Sequence, residues 1–285
     1  MRDAYDMMEY LEDILHDTQA NMWSDLKKLR ALNAAYDQIC NRVIELYEDF
    51  WYTTATLTPG TAAWSATPFD FPAAPDTISK ILYITDTDGV PVEPITPQTR
   101  DYSYPAVADR NIKMGYWLGD GQIWVNADSF VSNLRLYYIR KPARMLYGTA
   151  DAKDTANTTI TLQATMKPSL VDDYYNSLTL AFREGTDAGT EVTVSDYVGS
   201  SGVTTISAAV GDTDTVYGSV SELPDGHNEV VVIAAAIRAL AMDVAQADKI
   251  TQLTNIRNKL EFDLIDFLQN RQVQKSRGVH MTNLD

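Results

Sequence analysis

Cysteine, histidine and long apolar runs are scarce in this sequence of 285 residues. The one cysteine, Cys40, cannot form a disulfide within the chain, which excludes a secreted scaffold built on disulfides. The three histidines have no cysteine or second histidine at metal-ligand spacing, so we expect no zinc site. The longest apolar run, Val230–Met242, contains Arg238 and is shorter than the ~20 residues that a membrane span needs. We therefore expect no cofactor and no membrane partner.

Sequence signatures of enzymes are missing as well. The chain contains no nucleophile elbow, zinc-protease motif, phosphate-binding loop or dinucleotide-binding glycine motif. We expect no catalytic, cofactor-binding or metal-binding residues, and we infer that the protein is not an enzyme. The first residues are acidic and lack the apolar core of a signal peptide, so we expect a soluble protein made in the cytoplasm.

Clustered aspartates leave one alternative open. Carboxylates beside aromatic side chains can bind or hydrolyse a carbohydrate, and clustered aspartates can hold calcium. The aspartates concerned lie in one stretch of the chain: Asp172, Asp173, Asp187, Asp196 and Asp214. Because acids in β-turns usually accept hydrogen bonds from backbone amides, a purely structural role is the simpler interpretation.

Basic residues are also few, with 23 lysines and arginines against 39 aspartates and glutamates and a net charge of −16. This balance argues against a protein that binds nucleic acid by neutralising phosphates, although it suits a surface that must be soluble or must repel a polyanion. The C-terminal stretch is the exception, because it carries Arg271, Lys275, Arg277 and His280. These four residues predict a docking segment for an acidic groove on another protein.

Periodic apolar residues predict helices near both ends of the chain. The first helix covers about residues 3–20, and Ser24 is expected to cap a second one whose apolar stripe runs from Leu29 to Phe50. Near the C-terminus, Val230–Val244 is apolar on nearly every side. An amphipathic helix follows to about Gln272, with its predicted apolar stripe at Ile250, Leu253, Ile256, Leu260, Leu264 and Phe267.

Strand patterns fill the middle of the sequence. Prolines and turn residues after Trp51 exclude long helices, and the first group of strands predicts an antiparallel sheet: Lys80–Thr85, Gly115–Leu118, Gln122–Asn126 and Asn133–Arg140. Residues 148–221 are rich in Thr, Ser, Gly and Asp and predict a second group: Thr159–Gln163, Leu178–Phe182, Glu191–Val194 and Val203–Ser207. We interpret this stretch as an inserted small β module.

These elements together predict an α+β fold. Long helices at both ends form a helical bundle, and a central antiparallel β-sheet and the inserted module complete the molecule. The predicted core comprises residues 1–147 and 222–272, the module residues 148–221, and a flexible tail residues 273–285.

The order of these elements resembles the head-to-tail adaptor, or connector, proteins of tailed bacteriophages. The resemblance covers about residues 1–147 and 222–272. It rests on these segments in this order: Leu32-Asn33-Ala34-Ala35, Phe50-Trp51-Tyr52, Ile81-Leu82-Tyr83-Ile84 before Asp88-Gly89, Leu134-Arg135-Leu136-Tyr137-Tyr138 before Lys141-Pro142, and Leu223-Pro224-Asp225-Gly226-His227. The stretch between the two parts looks like the small β modules of other phage virion proteins.

The resemblance implies a structural protein of the virion, located at the head-tail junction after synthesis in the host cytoplasm. It implies a twelvefold homo-oligomeric ring that binds the portal protein on one face and a tail or nozzle protein on the other. Genome DNA would pass through its channel without specific binding, and the C-terminal cations at positions 271, 275, 277 and 280 would dock on the portal. A minor capsid or scaffold component without a channel is a third interpretation.

The apolar helix predicts where neighbouring copies meet. A helix that has no polar face must be buried on every side, and one chain offers few surfaces that could cover it. We therefore predict a subunit interface formed by Val230, Ile233, Ala235, Ala236, Ile237 and Leu240.

Overall fold

The structure, a computed structural model, describes residues 2–16, 22–58, 69–72, 77–95, 114–119, 122–127, 133–186, 188–211, 215–241 and 246–280. The chain folds into two compact units. Residues Met1–Tyr47 and Ala143–Asp285 form the first unit, and Glu48–Pro142 form the second.

The second unit is one seven-stranded sheet preceded by a 3₁₀ turn at Glu48–Trp51. Its strands are β1 (Tyr52–Leu57), β2 (Phe69–Asp70), β3 (Thr77–Asp86), β4 (Pro91–Pro94), β5 (Met114–Gly119), β6 (Gln122–Ala127) and β7 (Leu134–Lys141). They are arranged in the order β1-β7-β3-β4-β5-β6-β2, and only the β4–β5 pair is parallel among the described strands.

Alternation along β7 explains how this sheet buries one face. Leu134, Leu136 and Tyr138 are buried while Arg135 between them is exposed, which is the period of two that strand geometry imposes. Leu136 lies opposite Ala55 on β1 and Ile84 on β3, so β7 lies between two strands in the interior of the sheet.

The first unit contains the helices. They are α1 (Ala4–Leu15), α2 (Asp25–Leu46), α3 (Glu229–Leu240) and α4 (Ala247–His280). The Asp3 carboxylate caps α1 by accepting hydrogen bonds from the N–H groups of Tyr5 and Asp6, at 2.9 and 3.1 Å. Ser24 precedes α2 as predicted, but its side chain makes no capping hydrogen bond.

The first unit also contains a second seven-stranded sheet. Its strands are β8 (Tyr147–Thr149), β9 (Ala152–Lys153), β10 (Thr159–Thr161), β11 (Thr179–Phe182), β12 (Glu191–Val198), β13 (Val203–Ile206) and β14 (Val216–Ser219). They lie in the order β8-β14-β11-β12-β13-β10-β9, and every pair is antiparallel. Its core is built from aliphatic residues together with Phe182 and three tyrosines, Tyr175, Tyr197 and Tyr217.

The predicted fold class was wrong in its main feature. Two large sheets dominate the described residues, and the four helices there include two of only 12 residues, so the chain is not a bundle of long helices. The central sheet is mixed because β4 and β5 run parallel, and residues 148–221 contribute most of a seven-stranded sheet. Local periodicity predicted where most elements lie, but pairing between distant strands depends on tertiary contacts that periodicity does not encode.

Helix α4 continues to His280, past the end near Gln272 that the apolar stripe predicted, because a helix propagates by backbone hydrogen bonds and can extend beyond its apolar stripe. The proposed limits of the inserted module at 148 and 221 remain a prediction. In the structure these residues belong to the same compact unit as the helices.

Buried tyrosines make the stability of the first unit sensitive to alkaline pH. Burial raises the pKa of Tyr147 to about 12 and raises the pKa of Tyr36, Tyr175 and Tyr217 as well. A phenol whose folded-state pKa lies above its unfolded value of about 10 stabilises the native state fully below pH ~10, and this stability is lost as the pH rises through the folded value.

We therefore expect the protein to unfold cooperatively as the pH rises from about 10 towards about 12. Far-ultraviolet circular dichroism and phenolate absorbance are followed in one titration. Exposed tyrosines ionise first, and the remaining phenolate absorbance, from the buried tyrosines, should appear together with the loss of circular dichroism. Complete phenolate formation near the midpoint of a free tyrosine, with the circular dichroism still native, would contradict this expectation.

Candidate interaction surfaces

The predicted subunit-interface residues all lie on α3, and all of them except Ile237 are buried in the first unit. Ala235 and Ala236 have no exposed surface, and Val230, Ile233 and Leu240 are buried too. Helices α1, α2 and α4 of the same chain pack on α3 and cover these side chains. Ile237 is half-buried and Arg238 is exposed, so these two residues are the part of this helix segment that a neighbour could reach. The contact between copies at α3 remains a prediction.

The predicted portal-docking residues lie at the C-terminal end of α4. Arg271, Lys275, Arg277 and His280 all belong to the helix, but their side chains are outside the described residues. The structure therefore leaves their role as a prediction.

Helix α4 exposes large apolar side chains that the sequence pattern did not predict as exposed. Leu253, Leu264 and Leu268 form its buried face. Ile256 and Phe267 belong to the predicted apolar stripe, yet they are 44% and 42% exposed. Phe262, which the stripe does not include, is 68% exposed and lies on the opposite side of the helix from Leu253. Ile256 and Phe267 flank the buried face, whereas Phe262 lies opposite it, so the exposed apolar side chains are distributed around the solvent-facing sides of the helix. These three residues, Ile256, Phe262 and Phe267, are called the α4 apolar surface below.

An ion cluster joins the start of α1 to the second sheet. The Arg183 guanidinium, just after β11, donates to the carboxylates of Asp3 and Asp6, the latter at 3.0 Å. Gly218 on β14 lies so close that a Cβ atom there would be 2.6 Å from the backbone nitrogen of Tyr5. The helix and the sheet therefore approach each other at backbone distance, and sequence patterns gave no sign of this pairing across 180 positions.

A groove of about 470 Å³ lies between α2 and the loops of the second sheet. Its floor includes Leu29, Met145 and Met166, which are buried. Three exposed basic residues also line the groove: Arg30, Arg144 and Lys167. Asn33 shapes one wall by a pair of hydrogen bonds with the backbone of Met145, at 3.0 and 2.7 Å. This cavity is called the α2 groove below.

The loop that leaves the α2 groove exposes two aliphatic side chains. Leu170 is 83% exposed and Val171 is 58% exposed. We call this pair the apolar knob. It follows directly on Lys167, Pro168 and Ser169, which line the groove.

Hydrogen bonds to β12 and its neighbours fix the backbone around the knob. The Ser169 N–H donates to the Tyr175 hydroxyl at 3.0 Å, and the Ser169 carbonyl accepts from the Tyr197 hydroxyl. The Asp172 carboxylate accepts from the Gly199 N–H at 2.8 Å, and the Asp173 N–H donates to the Tyr197 carbonyl at 2.8 Å. The loop is therefore held in one conformation although its two apolar tips are exposed.

Two of the clustered aspartates of the second sheet accept hydrogen bonds from nearby groups of the protein. The Asp172 carboxylate accepts from the backbone N–H of Gly199, and the Asp173 carboxylate accepts from the side-chain amide of Asn176 at 2.8 Å. Within the described ranges, no three histidine, cysteine or acidic side chains come together in a way that could hold a metal ion. Asp187 and Asp214 lie outside the described residues.

The described surface carries an apolar groove with cations, an exposed apolar knob and exposed aromatic side chains. Residues 2–178 match the model of the SU10 adaptor protein family, and the chain belongs to that family. The family is one of phage head-tail adaptors, which indicates a structural component of the virion.

The extent of the match differs from the expected resemblance. The matched residues include 148–178, which the sequence suggested were inserted, and end before 222–272, which the resemblance included. No curated protein matches the chain. No helix within the described ranges is long and apolar enough to cross a membrane.

Proposed function

We propose that this adaptor assembles into a twelvefold homo-oligomeric ring that joins the portal to the tail or nozzle and continues the DNA channel. The observation that carries the proposal is the family match over residues 2–178. The strongly acidic composition supports the channel, because a wall that carries negative charge does not hold DNA phosphates.

The α4 apolar surface is the best-supported contact between copies in this proposal. Phe262 is the most exposed of the three, and burying a phenylalanine side chain against a neighbouring copy would be favourable by about 1.5 to 3 kcal/mol. Helix α3 would contribute through Ile237, since its other predicted interface residues are covered within the chain.

Electron microscopy of the purified adaptor mixed with its portal protein tests the proposal. We expect rings on the portal for the unchanged chain and a loss of most rings for Phe262→Asp, because a carboxylate would be placed in an apolar contact. The circular dichroism of this variant should stay native, since Phe262 is exposed in the single chain.

Gln252→Asp is the matched control, because it places the same charge at another exposed position of α4. It should assemble like the unchanged chain. Mixtures that never show the adaptor on the portal would refute the proposed function, and full assembly by Phe262→Asp would refute the role of the α4 apolar surface.

The C-terminal cations provide the proposed contact with the portal. Arg271, Lys275, Arg277 and His280 are repeated in every copy, so weak individual attractions would add up around a ring. A chain truncated after Gln272 should stay folded but bind the portal at least about tenfold more weakly, and higher salt should weaken binding by the full chain.

Binding assays at two ionic strengths measure both effects. Lys259→Gln is the control, because it removes an exposed cation from a more N-terminal part of α4. Equal portal binding by the truncated and full chains would show that the C-terminal residues have no docking role.

A further inference from the structure

We propose that the α2 groove receives the apolar knob of a second copy of this chain. The inference names one contact within the proposed oligomer and rests on that proposal for the assembly in which it occurs. It is carried by the shape, rigidity and charge of the two surfaces.

The groove is suited to an aliphatic segment that has an acidic neighbour. Its floor is lined by buried apolar side chains, and methionines such as Met145 and Met166 adapt to the shape of an occupant. Arg30, Arg144 and Lys167 give it three positive charges against one carboxylate, that of Asp37, which lies 3.5 Å from Arg144. In a chain with a net charge of −16, this local excess of positive charge favours an acidic partner.

The knob has the complementary properties. Leu170 and Val171 are strongly exposed, and Asp172 follows them directly. The Asp172 carboxylate accepts a hydrogen bond from one backbone N–H, that of Gly199, and Asp172 is exposed. The aliphatic pair can pack on the apolar floor of the groove, and the carboxylate can lie near its arginines and lysine.

Rigidity makes the knob an efficient anchor. A Cβ atom at position 199 would lie 2.4 Å from the backbone of Leu170, so Gly199 allows the loop to lie directly on β12. The Tyr175 hydroxyl accepts a hydrogen bond from the loop, and the Tyr197 hydroxyl and the Gly199 N–H donate to it, so the loop is held before any partner arrives. Binding therefore costs little ordering entropy, which favours association through a small surface.

We assign the occupant as a second copy because every copy presents an aliphatic pair beside a carboxylate, which complements the apolar and positively charged groove. The groove and the knob occur in every copy, and each contact joins the knob of one chain to the groove of another. A copy that lacks only its knob would still offer its groove to a neighbour. A variant damaged only at its knob and a variant damaged only at its groove should therefore still associate with each other.

Disulfide trapping tests the contact directly, because the native Cys40 is buried and does not interfere. Chains carrying Leu170→Cys are mixed with chains carrying Ala34→Cys, a change in the groove lining, and the two are distinguished by mass after mild oxidation. We expect mixed disulfide dimers. The control pair combines Ala34→Cys with Thr193→Cys, an exposed position on β12, and should give only background dimers.

Sedimentation of the unoxidised chains provides the second measurement. Leu170→Asp, or Arg30→Glu together with Lys167→Glu, should weaken self-association at least about tenfold. A mixture of these two variants should recover part of the association. Trapping no stronger than the control, or self-association unchanged by Leu170→Asp, would overturn the proposal and leave the groove to a different occupant.

These outcomes are distinct from those of the portal experiment. Rings that form on the portal without trapped knob-to-groove dimers would leave the proposed function standing and remove this contact. Trapped dimers of a chain that never binds the portal would leave the contact standing and remove the proposed function.

Discussion

Replacing Ala236 with glutamate should unfold the helical part of the first unit. Ala236 has no exposed surface, and α3 is enclosed by α1, α2 and α4. A carboxylate at this position would be buried without a partner and would also need space that a packed core does not offer. Each effect costs a few kcal/mol, so a total loss of roughly 4 kcal/mol or more is expected.

Circular dichroism, thermal unfolding and the yield of soluble protein measure the effect. Arg238→Glu is the matched control, because it places a glutamate at an exposed position on the same helix. It should change the unfolding temperature little. A folded Ala236→Glu chain that has lost only its assembly would instead show that a neighbouring copy covers α3, as the sequence predicted.

Replacing Asp3 with alanine should cause the second large loss of stability. The Asp3 side chain is almost fully buried, caps α1 through two backbone N–H groups, and pairs with Arg183 after β11. The substitution removes a helix cap, worth about 1 kcal/mol, and one of the two carboxylates that face a partly buried guanidinium. We expect a loss of roughly 2 to 3 kcal/mol in the free energy of unfolding.

Asp3→Asn separates the two contributions, because the amide oxygen can still cap α1 while the negative charge is gone. The free energy of unfolding of Asp3→Asn, measured with urea, should lie between that of the unchanged chain and that of Asp3→Ala. An Asp3→Ala chain with the original urea midpoint would show that the cluster contributes nothing to stability.

Local sequence patterns predicted the secondary structure better than its arrangement. The strand at Asn133–Arg140 was expected from its alternating residues and appears as β7, Leu134–Lys141. Its two partners, β1 and β3, are separated from it along the chain, and the parallel pairing of β4 with β5 has no local signature. Strand pairing minimises exposed apolar area over the whole sheet, so it depends on residues far apart in sequence.

The candidate surfaces were harder to predict than the elements. Leu170 and Val171 are ordinary aliphatic residues in the sequence, and a loop that exposes them is recognised only when the hydrogen bonds to Tyr175, Tyr197 and Gly199 are known. Phe267 fitted the buried stripe of α4 but lies at the edge of the buried face, because the width of that face depends on which helices pack against it.

Helix α3 shows most clearly which features follow from the sequence and which depend on the tertiary structure. The sequence alone determined that Val230–Leu240 must be buried, because an apolar segment with almost no polar side is unfavourable in water. The sequence also predicted the helices near both ends of the chain, the net negative charge, and the absence of a disulfide within the chain. Only the tertiary structure decided what covers α3, namely three helices of the same chain, two of which lie more than 180 residues earlier in the sequence. The reason is that an apolar segment is stabilised by burial against any suitable apolar surface. Its own sequence therefore does not specify which distant element will cover it.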